Sequence, residues 1–231
     1  MPSRFGPAQQ QIVAAAQRLA ARGYLVATGG NLSQRIPGTE AFAVTPSDLD
    51  YALMVPEDVC VLDLELNVLQ GTRKPSIESG LHAAVYQARP DVHAVVHTHQ
   101  PYASALSLVG KPIPALFDEQ VRFLGRTVEI IPYGPSGTFL LRRQVTRAVR
   151  SRANAFILQN HGVLCLGPDL RRAENNVELL EKCSLTYLLA LCTGQEVGGI
   201  PAWVREVAVL KLRADQRKAA HAGAAAGETP A

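Results

Sequence analysis

Two histidines one residue apart, His97 and His99, close the run Ala94-Val95-Val96-His97-Thr98-His99-Gln100. A β-branched run of this kind favours an extended strand, on which alternate side chains face the same way. Both imidazoles therefore share one face, roughly 6 to 7 Å apart at Cα. From there their ring nitrogens can converge on one ion at about 2.0 to 2.1 Å. A chelating pair needs a third donor, and His161 offers it in Gln159-Asn160-His161-Gly162, directly after Phe156-Ile157-Leu158, which reads as a second buried strand. Three imidazoles with an open position describe a catalytic metal site. They suit zinc, manganese, iron or cobalt, according to which metal is at hand.

The other three of the six histidines read as structural. His82 falls on a helical segment, His93 lies on the approach to the central strand, and His221 sits in an Ala/Gly-rich tail. A glycine pair in Ala27-Thr28-Gly29-Gly30-Asn31-Leu32-Ser33 has two readings. It can present backbone N–H groups to an anion, or it can be an ordinary tight turn into a strand. Its spacing matches neither a P-loop nor a dinucleotide fingerprint.

These groups must be placed by alternating elements. Apolar residues at helical spacing predict a helix over Pro7 to Arg22, with Gly23 as its cap. Ala41 to Thr45 and Val59 to Asp63 read as strands, with Thr45-Pro46-Ser47-Asp48 turning between them. Ser76 is the expected N-cap of a helix reaching about Ala88, and Glu78 falls in its first turn, where acidic residues also serve the helix dipole. Pro101 opens a helix over Tyr102 to Leu108. Strands at Val128 to Pro132 and Ala155 to Leu158 flank a helix from Phe139 to Arg150. A long amphipathic helix covers Leu170 to Leu191, and a last one runs from Trp203 to about Lys218. The pattern predicts one layered α/β domain over residues 1–218, with 219–231 a disordered Ala/Gly-rich tail.

Composition narrows the function. The chain has 231 residues, 47% of them hydrophobic, enough for one substantial core. A net charge of +3 with dispersed basic residues argues against a nucleic-acid surface and for small-molecule chemistry. Cys60, Cys165, Cys183 and Cys192 lack C-x-x-C spacing and sit among apolar neighbours, so buried reduced thiols are expected, as in a cytoplasm. Neither a signal peptide nor a membrane span is expected.

The order of motifs resembles the class II aldolase/adducin family and, within it, the L-fuculose-1-phosphate aldolases. GGNLS at Gly29, TPS at Thr45, PSIE at Pro75, HTH at His97 and QNHG at Gln159 carry the likeness over about residues 8–210. The resemblance implies a three-layer αβα sandwich on a mixed, largely antiparallel sheet. It also implies a homotetramer with active sites between subunits. It makes His97, His99 and His161 zinc ligands and Glu78 the catalytic acid/base. Thr28, Gly29, Asn31, Ser47 and Ser76 would cradle the phosphate of a ketose substrate, and the metal would spread the charge of the enediolate formed when the C–C bond breaks. Decarboxylases and dehydratases use the same kind of site on oxo-acids. Adducin heads share the fold as binding modules but lack the metal histidines.

Three positions depart from the family pattern. Ile77 replaces the second hydroxyl of a Ser-Ser pair, and Asp48 replaces a phosphate-facing glycine. The tyrosine that aldolases bring from a neighbouring subunit is replaced within Phe117-Asp118-Glu119-Gln120, which makes Asp118 and Glu119 candidate substrate contacts. The reaction class is therefore better marked than the substrate.

Overall fold

The computed structural model describes residues 4–27 and 29–227. Eight strands form one sheet: β1 (Asn31–Arg35), β2 (Ala41–Val44), β3 (Cys60–Asp63), β4 (Val68–Gln70), β5 (Ala94–Thr98), β6 (Glu129–Ile131), β7 (Ala155–Leu158) and β8 (Gly162–Gly167). Their order is β4-β3-β2-β1-β5-β8-β7-β6. Every pairing is antiparallel except β6 with β7. Seven α-helices accompany it: α1 (Gly6–Ala21), α2 (Ser79–Ala88), α3 (Pro101–Val109), α4 (Asp118–Phe123), α5 (Phe139–Ala148), α6 (Leu170–Cys192) and α7 (Ala202–Gly227). No helix among the described residues is long and apolar enough to cross a membrane.

Strand alternation sorts the core into two layers. Leu32, Val61, Val96 and Ile157 meet Ile12 and Leu19 of α1, Leu106 of α3 and Leu180 of α6 on one face. Phe42, Leu62, Val95 and Phe156 meet Leu81 and Val85 of α2 and Leu141 and Val145 of α5 on the other. Burying each such side chain contributes about 1.5 to 3 kcal/mol. The result is the expected three-layer sandwich on a mixed, largely antiparallel sheet. Strands β5, β7 and β8 are buried on both faces, so β7 and β8 read as unbroken apolar runs rather than as alternating ones, and β5 does so as far as Val96.

Several local expectations are corrected. α2 begins at Ser79 rather than beside Ser76, because Ser76 and Ser79 close a separate turn through Ser79 N–H and Oγ–H, both donating to the Ser76 carbonyl. Glu78 thus stands at the N-cap position with its side chain turned inward. The Ala/Gly-rich segment expected to be a disordered tail is helical as far as Gly227, since alanine is the best helix former; residues 228–231 lie outside the described residues. Cys60, Cys165 and Cys183 are buried free thiols as expected, but Cys192, in the last turn of α6, is exposed. Strands β4 and β8 and helix α4 were not anticipated, and the glycine pair at Gly29 leads, through Gly30 at φ +82, into strand β1.

A buried ion pair fastens the end of α2 to the start of β5. Arg89 donates through Nε and Nη2 to the two carboxylate oxygens of Asp91 at 2.8 and 2.7 Å. Its remaining donors meet the carbonyls of Val149 and Ala153 and Oδ1 of Asn154. Both side chains are 2% exposed. Burial raises the Asp91 carboxyl, but the Arg89 hydrogen bonds and charge outweigh it and hold it below the usual carboxylate range.

Candidate metal centre and active site

The three histidines converge at one end of the sheet. His97 is in β5, and His99 lies just past the strand end. β5 pairs antiparallel with β8, Thr98 opposite Val163, which brings the β7–β8 turn carrying His161 against the same strand end. Asn160 makes that turn with φ +54. Gly162 follows because a Cβ there would lie 2.5 Å from His99 Cδ2 and 3.2 Å from His97 Cε1. Gly29 is held to the same limit: a Cβ would come within 2.9 Å of His99 Nδ1.

The donor set fits a metal ion. One ligand-capable atom from each of His97, His99 and His161 lies within 4.8 Å of the others. His97 Nε2 and His99 Nε2 are 3.0 Å apart, close to the roughly 3.3 Å expected of two nitrogens bound to one tetrahedral ion at about 2.0 to 2.1 Å. His97 Nδ1–H donates to the Val163 carbonyl at 2.8 Å, which leaves the Nε2 lone pair free. Two buried atoms of the cluster, His161 Nδ1 and Glu78 Oε1, have no hydrogen-bond partner among the described residues. Burial, together with the neighbouring imidazoles, lowers His99 to about 4, and burial with His97 does the same for His161, so both rings are neutral and able to ligate near neutral pH.

Glu78 sits beside this cluster, 5% exposed. Its Oε2 accepts from Asn31 Nδ2 at 2.8 Å and lies 3.3 Å from His97 Nε2; its Oε1 is 3.5 Å from His161 Nε2. Burial pushes the carboxyl up, but His97, the Asn31 hydrogen bond, His161 and His82 hold it below its ordinary value. It is a carboxylate with one oxygen anchored and the other without a hydrogen bond among the described residues.

The surrounding expected residues are brought together in part. The segments around Thr45 and Lys74 run side by side, linked by Ser47 N–H to the Lys74 carbonyl and Ser76 N–H to the Thr45 carbonyl. Ser47 Oγ donates to the Pro75 carbonyl, and Ser76 Oγ accepts from the Glu78 N–H. Asp48 has φ +56, the left-handed backbone that favours glycine, and carries a carboxylate there. Thr28 lies outside the described residues. Asp118 and Glu119 are exposed in the first turn of α4. Glu119 pairs with Lys182 and lines a groove with Tyr24 and Tyr102 that holds none of the three histidines. Sequence reading missed His82, which bonds to Asn31 in the same buried network. The signal was there: Glu78, His82 and Tyr86 repeat every four residues, which places them on one helical face.

Comparison with known proteins agrees with this geometry. Residues 10–188 match the family model described as the class II aldolase and adducin N-terminal domain. The chain is 33% identical over 187 residues to a 5-deoxy-D-ribulose 1-phosphate aldolase of Bacillus thuringiensis, covering 81% of this chain and 87% of that protein. It is 35% identical over 172 residues to a 3-oxo-tetronate 4-phosphate decarboxylase of Haemophilus influenzae, covering 72% and 80%. Among solved structures, an L-fuculose 1-phosphate aldolase superposes with a TM-score of 0.84 at 31% identity, covering 90% of this chain and 96% of that one.

Proposed function

Because the chain belongs to the class II aldolase and adducin family, we propose that it is a metal-dependent carbon–carbon lyase acting on a phosphorylated ketose. His97, His99 and His161 hold the ion, and Glu78 carries the proton. The observation that supports this reading best is the ionised Glu78 carboxylate wedged against two of the three histidines, with Oε1 lacking a hydrogen bond. When bound, the ion supplies Lewis acidity to the substrate oxygens next to the bond that breaks. Asn31 fixes Oε2, so Oε1 is the atom that takes and returns the substrate proton. The neutral imidazole set favours zinc, with manganese, iron and cobalt as the other candidates.

Gly29, Asn31, Ser47 and Ser76, with Thr28, form the anion-binding rim. Asp118 and Glu119 are assigned to the site of a neighbouring subunit in a homotetramer. Large apolar side chains left bare in one chain, among them Trp203 at 72%, Leu210 at 68% and Phe139 at 67% exposure, support assembly. The free buried thiols fit a reducing cytoplasm. The decarboxylase relative supports a second reading, in which the same site loses carbon dioxide from a 3-oxo-acid phosphate.

Metal-loaded protein assayed on ketose 1-phosphates and on 3-oxo-acid phosphates separates the two. Aldehyde release is the expected result, carbon dioxide release selects the second reading, and neither overturns both. Light scattering should give four times the chain mass; an active monomer refutes the shared site.

A further inference from the structure

We propose that His82 is a positioning residue that aims the Glu78 carboxylate through Asn31. The inference rests on the reading of Glu78 as proton carrier and extends it to a residue outside the site. His82 is fully buried on α2, one turn beyond Glu78. Its Nε2 lies 2.5 Å from Asn31 Oδ1, its Nδ1 lies 2.6 Å from Ser33 Oγ, and Ser33 Oγ lies 2.7 Å from the Tyr86 hydroxyl. Asn31 and Ser33 alternate on β1, so both face Glu78 at the N-cap of α2 and the α2 stripe that carries His82 and Tyr86.

The proton positions in this row follow from one end. An ionised carboxylate only accepts, so Asn31 must present Nδ2–H to Glu78 and Oδ1 to His82. His82 then carries its proton on Nε2 and accepts at Nδ1, Ser33 donates to that nitrogen, and Tyr86 O–H donates to Ser33. Burial keeps the ring neutral, at about 3, as the scheme requires. Reversing any member reverses the next. A flipped Asn31 would set its oxygen against the carboxylate oxygen and release Glu78 from its anchor. A residue that merely filled the core would need no such single polarity ending on the base.

Two substitutions divide the ring's two arms. H82Q keeps a donor near the Nε2 position, facing Asn31; H82N keeps a polar group near the Nδ1 position, facing Ser33, and gives up the donor. Steady-state kinetics on 5-deoxy-D-ribulose 1-phosphate or L-fuculose 1-phosphate, whichever turns over, would be run with elemental analysis of each protein. H82N is expected to lose kcat by about ten- to a hundredfold, the scale of one hydrogen bond to a charged group, with KM and metal content unchanged. H82Q is expected to stay within about fivefold of wild type. S33A, a smaller change that unlocks the ring's proton, is expected to lower kcat in the same direction should H82N fail to fold. Equal losses in H82N and H82Q, or losses in KM or metal content instead of kcat, overturn the positioning role. E78Q is the control: if it is inactive while the two His82 variants match, only the His82 inference fails. If E78Q remains active, the assignment of Glu78 fails as well.

Discussion

Replacing Glu78 with glutamine isolates proton transfer from everything else the side chain does. The amide has the same shape, and its oxygen can still accept from Asn31 Nδ2, so the anchor seen at 2.8 Å survives. The other end, where Oε1 has no hydrogen bond and stands 3.5 Å from His161 Nε2, gains an N–H and loses the capacity to take a proton. General acid/base catalysis by a positioned group contributes about 10² to 10⁴ in rate. At about 1.36 kcal/mol per decade, that is about 2.7 to 5.4 kcal/mol of transition-state stabilisation. The expected result is a fall in kcat of at least about a hundredfold, with KM within about threefold and metal content equal to wild type. The interactions that hold the Glu78 carboxyl below its ordinary value outweigh its burial and are lost with the charge, so the melting temperature should fall. Steady-state kinetics, elemental analysis and calorimetry on the same preparation give all three. A Glu78→Gln enzyme within tenfold of wild-type kcat would refute the reasoning, as would one that lost its metal.

Further outcomes follow from other parts of the structure. His97→Ala should lower metal affinity by at least on the order of 10²-fold, and equal metal content in variant and wild type would sink the triad. Asp91→Ala leaves the Arg89 charge buried and uncompensated, so urea unfolding should show a loss of about 3 to 5 kcal/mol. The depressed Asp91 carboxyl adds stability that is present above the unfolded value of about 3.9 and lost as pH falls through the lower folded value. The wild type should therefore lose stability below about pH 4 more steeply than Asp91→Asn; parallel curves would show that the pair does not contribute. An Asp48→Gly, Ile77→Ser double variant should raise the kcat/KM ratio of a ketose phosphate over its free sugar, because a carboxylate leaves the anion rim and a hydroxyl joins it. No change in that ratio would mean that neither side chain faces the anion.

The convergence of three histidines was legible because its signal is local: strand alternation for His97 and His99, and a glycine-flanked strand end for His161. The three-layer fold was legible through motif order, since the middle strands of this largely antiparallel sheet are buried on both faces and show no polar–apolar alternation. β8 was hidden because Gly162–Gly167 follows β7 so closely that the two merge into one apolar stretch around a short turn. The start of α2 was misplaced because Ser76 bears the chemistry of a cap yet closes a separate turn. His82 read as ordinary core because its partners, Asn31 and Ser33, lie some 50 residues upstream, at separations of 51 and 49. The α7 extension was masked by composition, since the Ala/Gly content that suggests disorder also contains strong helix formers.

The order of strands sets when the centre can come into being. β5 lies between β1 and β8, and neither neighbour is adjacent to it in sequence. Between β5 and β8 the chain leaves to build α3, α4, β6, α5 and β7 before returning. Long-range pairings of this kind form slowly, because the loop must be closed before any contact rewards it. His161 therefore reaches His97 and His99 only when the long-range β5–β8 pairing has formed. The three-histidine cluster is thus a product of the paired sheet and of no single local segment.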